Sequence, residues 1–185
     1  GPMYHLASFL SVAWKQIKKT PIRVVDKNPK HCFRIEFLKE IFPDAQFIFL
    51  YRRPETNINS LIEGWKSGQY ATYEIPRSDE TFQWHFDLPP GWDDWIDREL
   101  PERCAHQWVG YNRALLQAED ALSEGAVVRC HYEEMIEQPL HVARSIFEEL
   151  GIEMSDTVRA HCESLPVVNS VTAPDPEKWR AREEV

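Results

Sequence analysis

Two arginines and a serine follow a strongly apolar run near the middle of the chain. The run F-I-F-L-Y at 47–51 has no polar alternation, which is typical of a strand buried on both faces of a parallel sheet. Arg52 and Arg53 come at its carboxyl end, and Pro54 suits the first turn of a helix that carries Ser60. Ligands of open parallel sheets bind at this edge, and a guanidinium beside a hydroxyl suits a phosphate dianion. The stretch predicts an anion site containing Arg52 and Ser60.

A second candidate cation, Lys27, lies in the segment D-K-N-P at 26–29. The short β-branched run at 22–25 predicts a strand that ends at this segment, and the apolar spacing at 31–42 predicts a helix that leads to the strand at 47–51. Such a strand, helix and strand form a right-handed crossover, so both strands end at one edge of the sheet. Lys27 is therefore predicted to lie at the same edge as Arg52, although a solvated loop lysine is the simpler interpretation of the segment alone.

The segment that begins at Arg52, R-x-P with Ser60 eight positions after the arginine, resembles the 3′-phosphate-binding segment of sulfotransferases that use 3′-phosphoadenosine 5′-phosphosulfate (PAPS). The family usually carries R-D-P-R, so Arg53 and Glu55 depart from its pattern. Gly64 stands where the family often has a further basic residue. The D-K-N-P segment is similar to the family's acidic-Lys-Thr-Pro segment.

The resemblance implies roles for these residues. Arg52 and Ser60 would bind the 3′-phosphate of PAPS, the alternative being a surface arginine and an exposed helical serine. Lys27 would face the bridging oxygen of the leaving nucleotide, where negative charge grows in the transition state.

Two later segments carry the resemblance further, so that it spans about residues 22–182. The run V-V-R-C-H-Y-E-E at 127–134 resembles the family's third strand and implies that Tyr132 lies beside the adenosine, although a tyrosine that caps the core is nearly as good an interpretation. His131 points to the other face of that strand and is expected to be structural. Lys178 and Trp179 are similar to the C-terminal K-W pair that the family closes over the 3′-phosphate side of the nucleotide.

The residue that accepts the acceptor's proton stays open at this point. The family uses histidine in some branches and glutamate in others, and His85, His106, Asp26 and Glu133 all have suitable chemistry. His85 lies in an aromatic segment, where a packed ring is its simplest role.

Composition and charge bound the remaining possibilities. With 185 residues and 43% hydrophobic content, one sulfotransferase-like domain over residues 3–185 is expected, after a tag scar at Gly1-Pro2. A net charge of −9 argues against nucleic acid as a partner. The four cysteines are widely spaced, which predicts no metal site, no disulfide framework and a reducing, cytoplasmic compartment. The sequence contains no signal-peptide pattern and no long apolar run, so no membrane partner is predicted.

The predicted fold class is α/β, with a parallel sheet flanked by helices, of the sulfotransferase (P-loop NTPase-like) type but without its first strand. Segment 68–101 is rich in aromatics and prolines, so it is expected to be an ordered lid or acceptor loop with doubtful regular structure. The strands are predicted at 22–25, 47–51 and 126–132, and the helices at 3–19, 31–42, from Pro54 past Ser60, and at 102–122, 139–150 and 155–164.

One family element is missing from the sequence. Family members begin with a strand and a loop of the type P-R-S-G-T-T, whose N–H groups hold the 5′-phosphosulfate, and this sequence contains no such loop. Three explanations stay open: a fragment, a complementing N-terminal segment or another copy in a homo-oligomer, and a naturally shortened homologue.

The sequence thus predicts transfer of a sulfuryl group from PAPS to a hydroxyl or amine of a small-molecule or carrier-bound acceptor, without a metal. The chain alone is expected to be inactive. The alternatives are a non-catalytic sulfotransferase-like binding domain and a nucleotide kinase-like phosphotransferase, although the latter should show a Walker lysine.

Overall fold

The computed structural model describes residues 23–78, 80–166, 171–172, 175 and 177–182, and these residues include a two-stranded parallel sheet. Strand β1 (Phe47–Tyr51) pairs with strand β4 (Val127–His131) in parallel register, from Phe47 opposite Val127 to Tyr51 opposite His131. Parallel neighbours need a crossover connection, and here the whole stretch between the two strands provides it. The predicted α/β class with a parallel sheet flanked by helices is confirmed.

The helices follow the predicted order. After the 3-10 helix Pro29–Phe33 they are α1 (Ile35–Ile41), α2 (Pro54–Ser67), α3 (Leu100–Ala121), α4 (Tyr132–Glu137), α5 (Pro139–Glu149) and α6 (Asp156–Glu163). Prolines occupy the first turn of α2, α3 and α5, where no N–H is needed. None of the helices among the described residues is long and apolar enough to span a bilayer.

Helix α3 links two apolar cores. In the first, Phe49 of β1, which is 2% exposed, packs with Ile35 and with Ala118 of α3. In the second, Ile62 of α2 packs with Cys104 near the start of α3, and both are fully buried. Because α3 contributes to both cores, it fixes α2 relative to the β1–β4 sheet.

The prediction of doubtful regular structure in segment 68–101 is wrong. Strands β2 (Ala71–Pro76) and β3 (Thr81–His85) form an antiparallel hairpin, and a 3-10 helix follows at Trp92–Trp95. In β2, the partly buried Tyr73 and Ile75 alternate with exposed residues, so one face of the strand is covered. In β3, Trp84 has no exposed surface. The cation of Arg103 on α3 lies over the ring of Phe82, 5.1 Å from its centroid, and holds the hairpin against the helices.

The prediction of a strand at 22–25 also needs correction. Residues 23–28 lie outside any helix or strand, and Val24 and Val25 are 66% and 83% exposed. β propensity describes how a side chain fits a half-buried pleated surface, and in the described part of the chain no strand pairs with this run. The predicted helix at 3–19 lies outside the described residues.

Candidate functional site

Arg52 is the centre of the site, because it joins the end of β1 to α2 and α3. Its carbonyl accepts a hydrogen bond from the indole N–H of Trp108 on α3 at 3.2 Å. Its guanidinium lies over the ring of Tyr132, 4.6 Å from the centroid. The structure therefore brings together two of the residues that the sequence singled out, and the contact is a cation–π interaction.

One donor of Arg52 is left over. Its Nε is buried and finds no hydrogen-bond acceptor among the described residues. A buried N–H without a partner is costly, and a bound ligand is one of the groups that can supply the missing acceptor. A phosphate oxygen beside the guanidinium is an acceptor that fits this donor.

Glu133 closes the adjacent end of α2. Its Oε1 accepts the backbone N–H of Arg53 at 3.1 Å and lies 3.4 Å from the hydroxyl of Thr56. A carboxylate at a helix N-terminus satisfies free N–H groups and interacts favourably with the helix dipole. This candidate base is thus engaged in fixing the start of α2.

Ser60 lies near the middle of α2 and is half-buried. Its hydroxyl donates to the carbonyl of Thr56, one turn earlier, at 3.0 Å. Since a hydroxyl has a single proton, Ser60 must give up this bond in order to donate to a phosphate.

Lys27 lies in the extended segment before the 3-10 helix Pro29–Phe33, and both of its neighbours are held. The side chain of Asn28 accepts the N–H of Lys30 at 3.0 Å and caps that helix, while Asp26 lies 2.7 Å from Nε2 of His31. Lys27 itself is exposed and makes no hydrogen bond or ion pair with the described residues. Its ammonium is free to face a ligand.

The C-terminal segment returns to α2. Nζ of Lys178 lies 2.7 Å from Oε2 of Glu63 and 2.9 Å from the hydroxyl of Thr172. Arg182 donates from Nε to Oδ1 of the buried Asn59 at 2.6 Å. Burial alone would raise the pKa of Glu63, but the hydrogen bonds from Lys178 and Thr172 outweigh it and hold that pKa below its usual value. The C-terminal segment is thus anchored to α2 at positions before and after Ser60.

Trp179 lies beside that anchor, in the 3-10 helix Lys178–Ala181. Its ring is half-buried, and the guanidinium of Arg180 lies 5.3 Å from its centroid. The aromatic face therefore contacts a cation of its own segment in this structure.

Comparison with known proteins decides the family. A family model described as the Sulfotransferase family matches residues 3–156, which is most of the chain. The chain belongs to the sulfotransferase family. The fold agrees, because the sulfotransferase domain from the curacin biosynthetic pathway matches with a TM-score of 0.55 at 19% identity, over 80% of this chain and 46% of that one.

Two curated sulfotransferases are similar in sequence. The omega-hydroxy-beta-dihydromenaquinone-9 sulfotransferases of Mycobacterium bovis and Mycobacterium tuberculosis are each 28% identical over 147 residues, which is 80% of this chain. The matched region covers 32% of each mycobacterial protein. This sulfotransferase chain therefore spans about a third of the length of these curated relatives.

In the sulfotransferase chain, the two histidines among the candidate bases are packed rings. His85 is 6% exposed and stacks on Trp65 at 4.7 Å, and His106 stacks on Trp95 at 4.5 Å. Burial lowers the pKa of both imidazoles, so the neutral form is favoured. In this arrangement each ring serves as packing for an aromatic neighbour.

Sequence reasoning missed the carboxylate that pairs with Lys30. Asp87 follows β3, is 8% exposed, and lies 3.7 Å through Oδ1 from Nζ of Lys30. Both residues line a cavity of about 410 Å³ together with Arg34. The only sequence signal was proximity of Lys30 to the D-K-N-P segment, since nothing in the sequence pairs Lys30 with a carboxylate far along the chain. The described residues contain no cluster of three or more His, Cys, Asp or Glu side chains that could hold a metal ion.

Proposed function

We propose that this chain binds the 3′-phosphoadenosine end of PAPS and belongs to a protein that transfers its sulfuryl group to a hydroxyl or amine acceptor. The observation that carries the proposal is the buried Nε of Arg52, which has no acceptor among the described residues, beside the ring of Tyr132. Arg52 directly follows β1, so this donor lies at the carboxyl edge of the parallel sheet. Family membership supports the reaction class.

Each residue of the site has a distinct role in this proposal. Arg52 pairs with the 3′-phosphate through its guanidinium, and Ser60 adds a hydrogen bond after releasing Thr56. The ring face of Tyr132 packs against the guanidinium, and its edge is available to the adenosine. Lys27 places its ammonium where negative charge develops on the leaving oxygen. Bound PAPS supplies an activated sulfuryl group whose departure leaves adenosine 3′,5′-bisphosphate.

Lys178 and Trp179 belong to the same proposal, with one condition. The ammonium of Lys178 is bonded to Glu63, so it reaches a phosphate only if that ion pair opens or if the phosphate joins it. Of the cations proposed to hold the nucleotide, Arg52 is the one with an unpartnered buried donor among the described residues, and it should therefore dominate affinity.

The phosphosulfate end needs donors that this sequence does not contain. No P-R-S-G-T-T loop is present, and positioning errors of about 1 Å already cost about a hundredfold in rate. We therefore expect this chain to bind the nucleotide without transferring the sulfuryl group. Four free cysteine thiols fit a reducing, cytoplasmic setting, and the acceptor is proposed to be a small molecule or a carrier-bound group.

Calorimetric titration of this chain tests the proposal. Adenosine 3′,5′-bisphosphate should bind more tightly than adenosine 5′-monophosphate, and Arg52→Ala should weaken the bisphosphate by about 1.5–3 kcal/mol while leaving the monophosphate little changed. Arg144→Ala, on the exposed side of α5, is the matched loss of one arginine and should leave both affinities unchanged.

Equal losses for the two nucleotides in Arg52→Ala would refute the assignment of the 3′-phosphate to Arg52. Preference for ATP over adenosine 3′,5′-bisphosphate would favour a nucleotide kinase-like activity. Incubation with radiolabelled PAPS and a panel of phenols, alcohols and amines measures transfer itself, with Lys27→Ala as the control. Label transfer that depends on Lys27 would show that another segment of this chain replaces the missing loop.

A further inference from the structure

A cavity opens beside the segment that carries Lys27. One part of its lining comes from the 3-10 helix Pro29–Phe33 with Arg34 after it, and another comes from the run from Asp87 to Trp92. Tyr73 of the hairpin contributes a third part. Its volume of about 410 Å³ lies within the range of small-molecule sites, which is about 300–1,000 Å³.

The wall that contains Asp87 is rigidly held from behind. The carbonyl of Asp87 accepts hydrogen bonds from the hydroxyl of Tyr111 at 2.8 Å, from Nε2 of Gln107 at 3.3 Å and from the indole N–H of Trp84 at 3.4 Å. The preceding residue, Phe86, has a φ of +62°, which is uncommon for a residue with a side chain. Strained backbone of this kind is retained where the surrounding structure over-determines it, and it concentrates at ligand sites.

The charges that line the cavity leave one cation unmatched. Nζ of Lys30 lies 3.7 Å from Oδ1 of Asp87 and 5.0 Å from the ring centroid of Tyr73. A hydrogen bond with Tyr73 is the main cause that raises the pKa of Lys30, so the ammonium is retained. Burial raises the pKa of Asp87, and the charges of Lys30 and Arg34 oppose that effect. Lys30 and Asp87 thus compensate each other, while Arg34 is exposed and makes no ion pair with the described residues.

We propose that this cavity is the acceptor subsite and that it selects an acceptor with an anionic group, such as a carboxylate, on an aromatic or apolar body. The inference rests on the proposed function and specifies its substrate class. The anionic group pairs with Arg34 at the mouth, and the body contacts the rings of Phe33, Tyr73 and Trp92.

Position along the chain connects this subsite to the proposed chemistry. Lys27 lies three residues before Lys30, in the extended segment that leads into the 3-10 helix lining the cavity. The first part of the lining therefore begins close in sequence to the lysine that is proposed to face the leaving oxygen. A neutral or cationic acceptor of the same size would leave Arg34 without an anion and would bind less tightly.

Direct binding tests the inference without requiring turnover. Ligand-observed NMR titrations compare 3-(4-hydroxyphenyl)propanoate with 3-(4-hydroxyphenyl)propanamide, which has the same shape without the charge. The carboxylate should bind the unmodified chain about tenfold more tightly than the amide. Arg34→Ala should abolish that difference, and Arg144→Ala should preserve it.

Three results would overturn the inference: no binding of the carboxylate, equal binding of the two probes by the unmodified chain, or a preference that survives Arg34→Ala. Titration of the same samples with adenosine 3′,5′-bisphosphate keeps the two proposals apart. Nucleotide binding without carboxylate preference rejects the acceptor class alone, whereas carboxylate preference without nucleotide binding rejects the proposed function and leaves an anion-selective cavity.

Discussion

Replacing Gln107 with leucine should destabilise the fold by about 2–6 kcal/mol. Gln107 lies on α3 with no exposed surface, and its amide serves both the hairpin and α2. Its Nε2 donates to the carbonyls of His85 at 2.9 Å and Asp87 at 3.3 Å, and its Oε1 accepts the indole N–H of Trp65 at 2.9 Å. Leucine has a similar volume, so little cavity forms, but the Trp65 N–H and the His85 carbonyl each lose a buried partner. Each such loss costs about 1–3 kcal/mol.

Urea denaturation followed by tryptophan fluorescence and circular dichroism measures the change in the free energy of unfolding. Gln117→Leu is the matched control, because Gln117 is exposed on the same helix and its loss should change stability by less than about 0.5 kcal/mol. If Gln107→Leu unfolds at the same urea concentration as Gln117→Leu, the buried amide does not hold the hairpin and the reasoning fails.

Three further outcomes follow from the packing and the charges. Gly64→Ala should destabilise the fold by about 1–3 kcal/mol in urea, because its Cβ would overlap the ring of Phe86; a gain in stability, as helix propensity alone predicts, would contradict this. Burial lowers the pKa of His106, so stability should fall as the pH drops from about 7 to 5, and His106→Phe should make that decline shallower in unfolding measurements across this range. Lys178→Ala should raise the pKa of Glu63 in carboxyl NMR titrations, since burial then acts with less opposition; an unchanged pKa would show that the pair is not formed in solution.

The two strands of the parallel sheet could be predicted because their residue types strongly favour β structure. The unbroken apolar run of β1 and the β-branched run of β4 suit a parallel pair, and the structure confirms the positions of both strands within a residue or two. The prediction that β1 is buried on both faces is wrong, because Ile48 and Leu50 are each 47% exposed. The run at 22–25 has the same propensity, yet Val25 is 83% exposed. β propensity indicates which residues fit a sheet, whereas the presence of a neighbouring strand depends on the tertiary fold.

The hairpin escaped prediction although its signal was present. Tyr73, Ile75, Phe82 and Trp84 alternate with polar residues over two runs of five or six residues, which is typical of short half-buried strands. The density of aromatics and prolines in the surrounding segment obscured that alternation and favoured an irregular loop.

Partner choice at the site was the least predictable feature. The sequence indicated Lys178 as a phosphate-binding residue and Glu133 as a candidate base, but it could not indicate that Lys178 bonds Glu63 or that Glu133 caps α2. These pairs join residues 115 and 80 positions apart, so they depend on how the whole chain folds. The roles of all six site residues stay predictions: Lys27, Arg52, Ser60, Tyr132, Lys178 and Trp179.

The bond between Glu133 and the N–H of Arg53 has a consequence for the order of folding. The β2–β3 hairpin joins residues close in sequence, such as Ile75 and Phe82, whereas this bond and the β1–β4 pairing close a loop of 80 residues. Closing a long loop costs more chain entropy than closing a short one. The hairpin can therefore form while β1 and β4 are still unpaired. The contact between Arg52 and Tyr132 then arises only once β1 and β4 have paired.

A ligand held by those two side chains consequently binds the chain only after the parallel pair has formed. Its binding adds stability that grows with the logarithm of its concentration, by about 2.7 kcal/mol at a hundred times its dissociation constant. Under the proposed function, a higher concentration of the nucleotide would therefore shift the folding equilibrium of this chain toward the folded state.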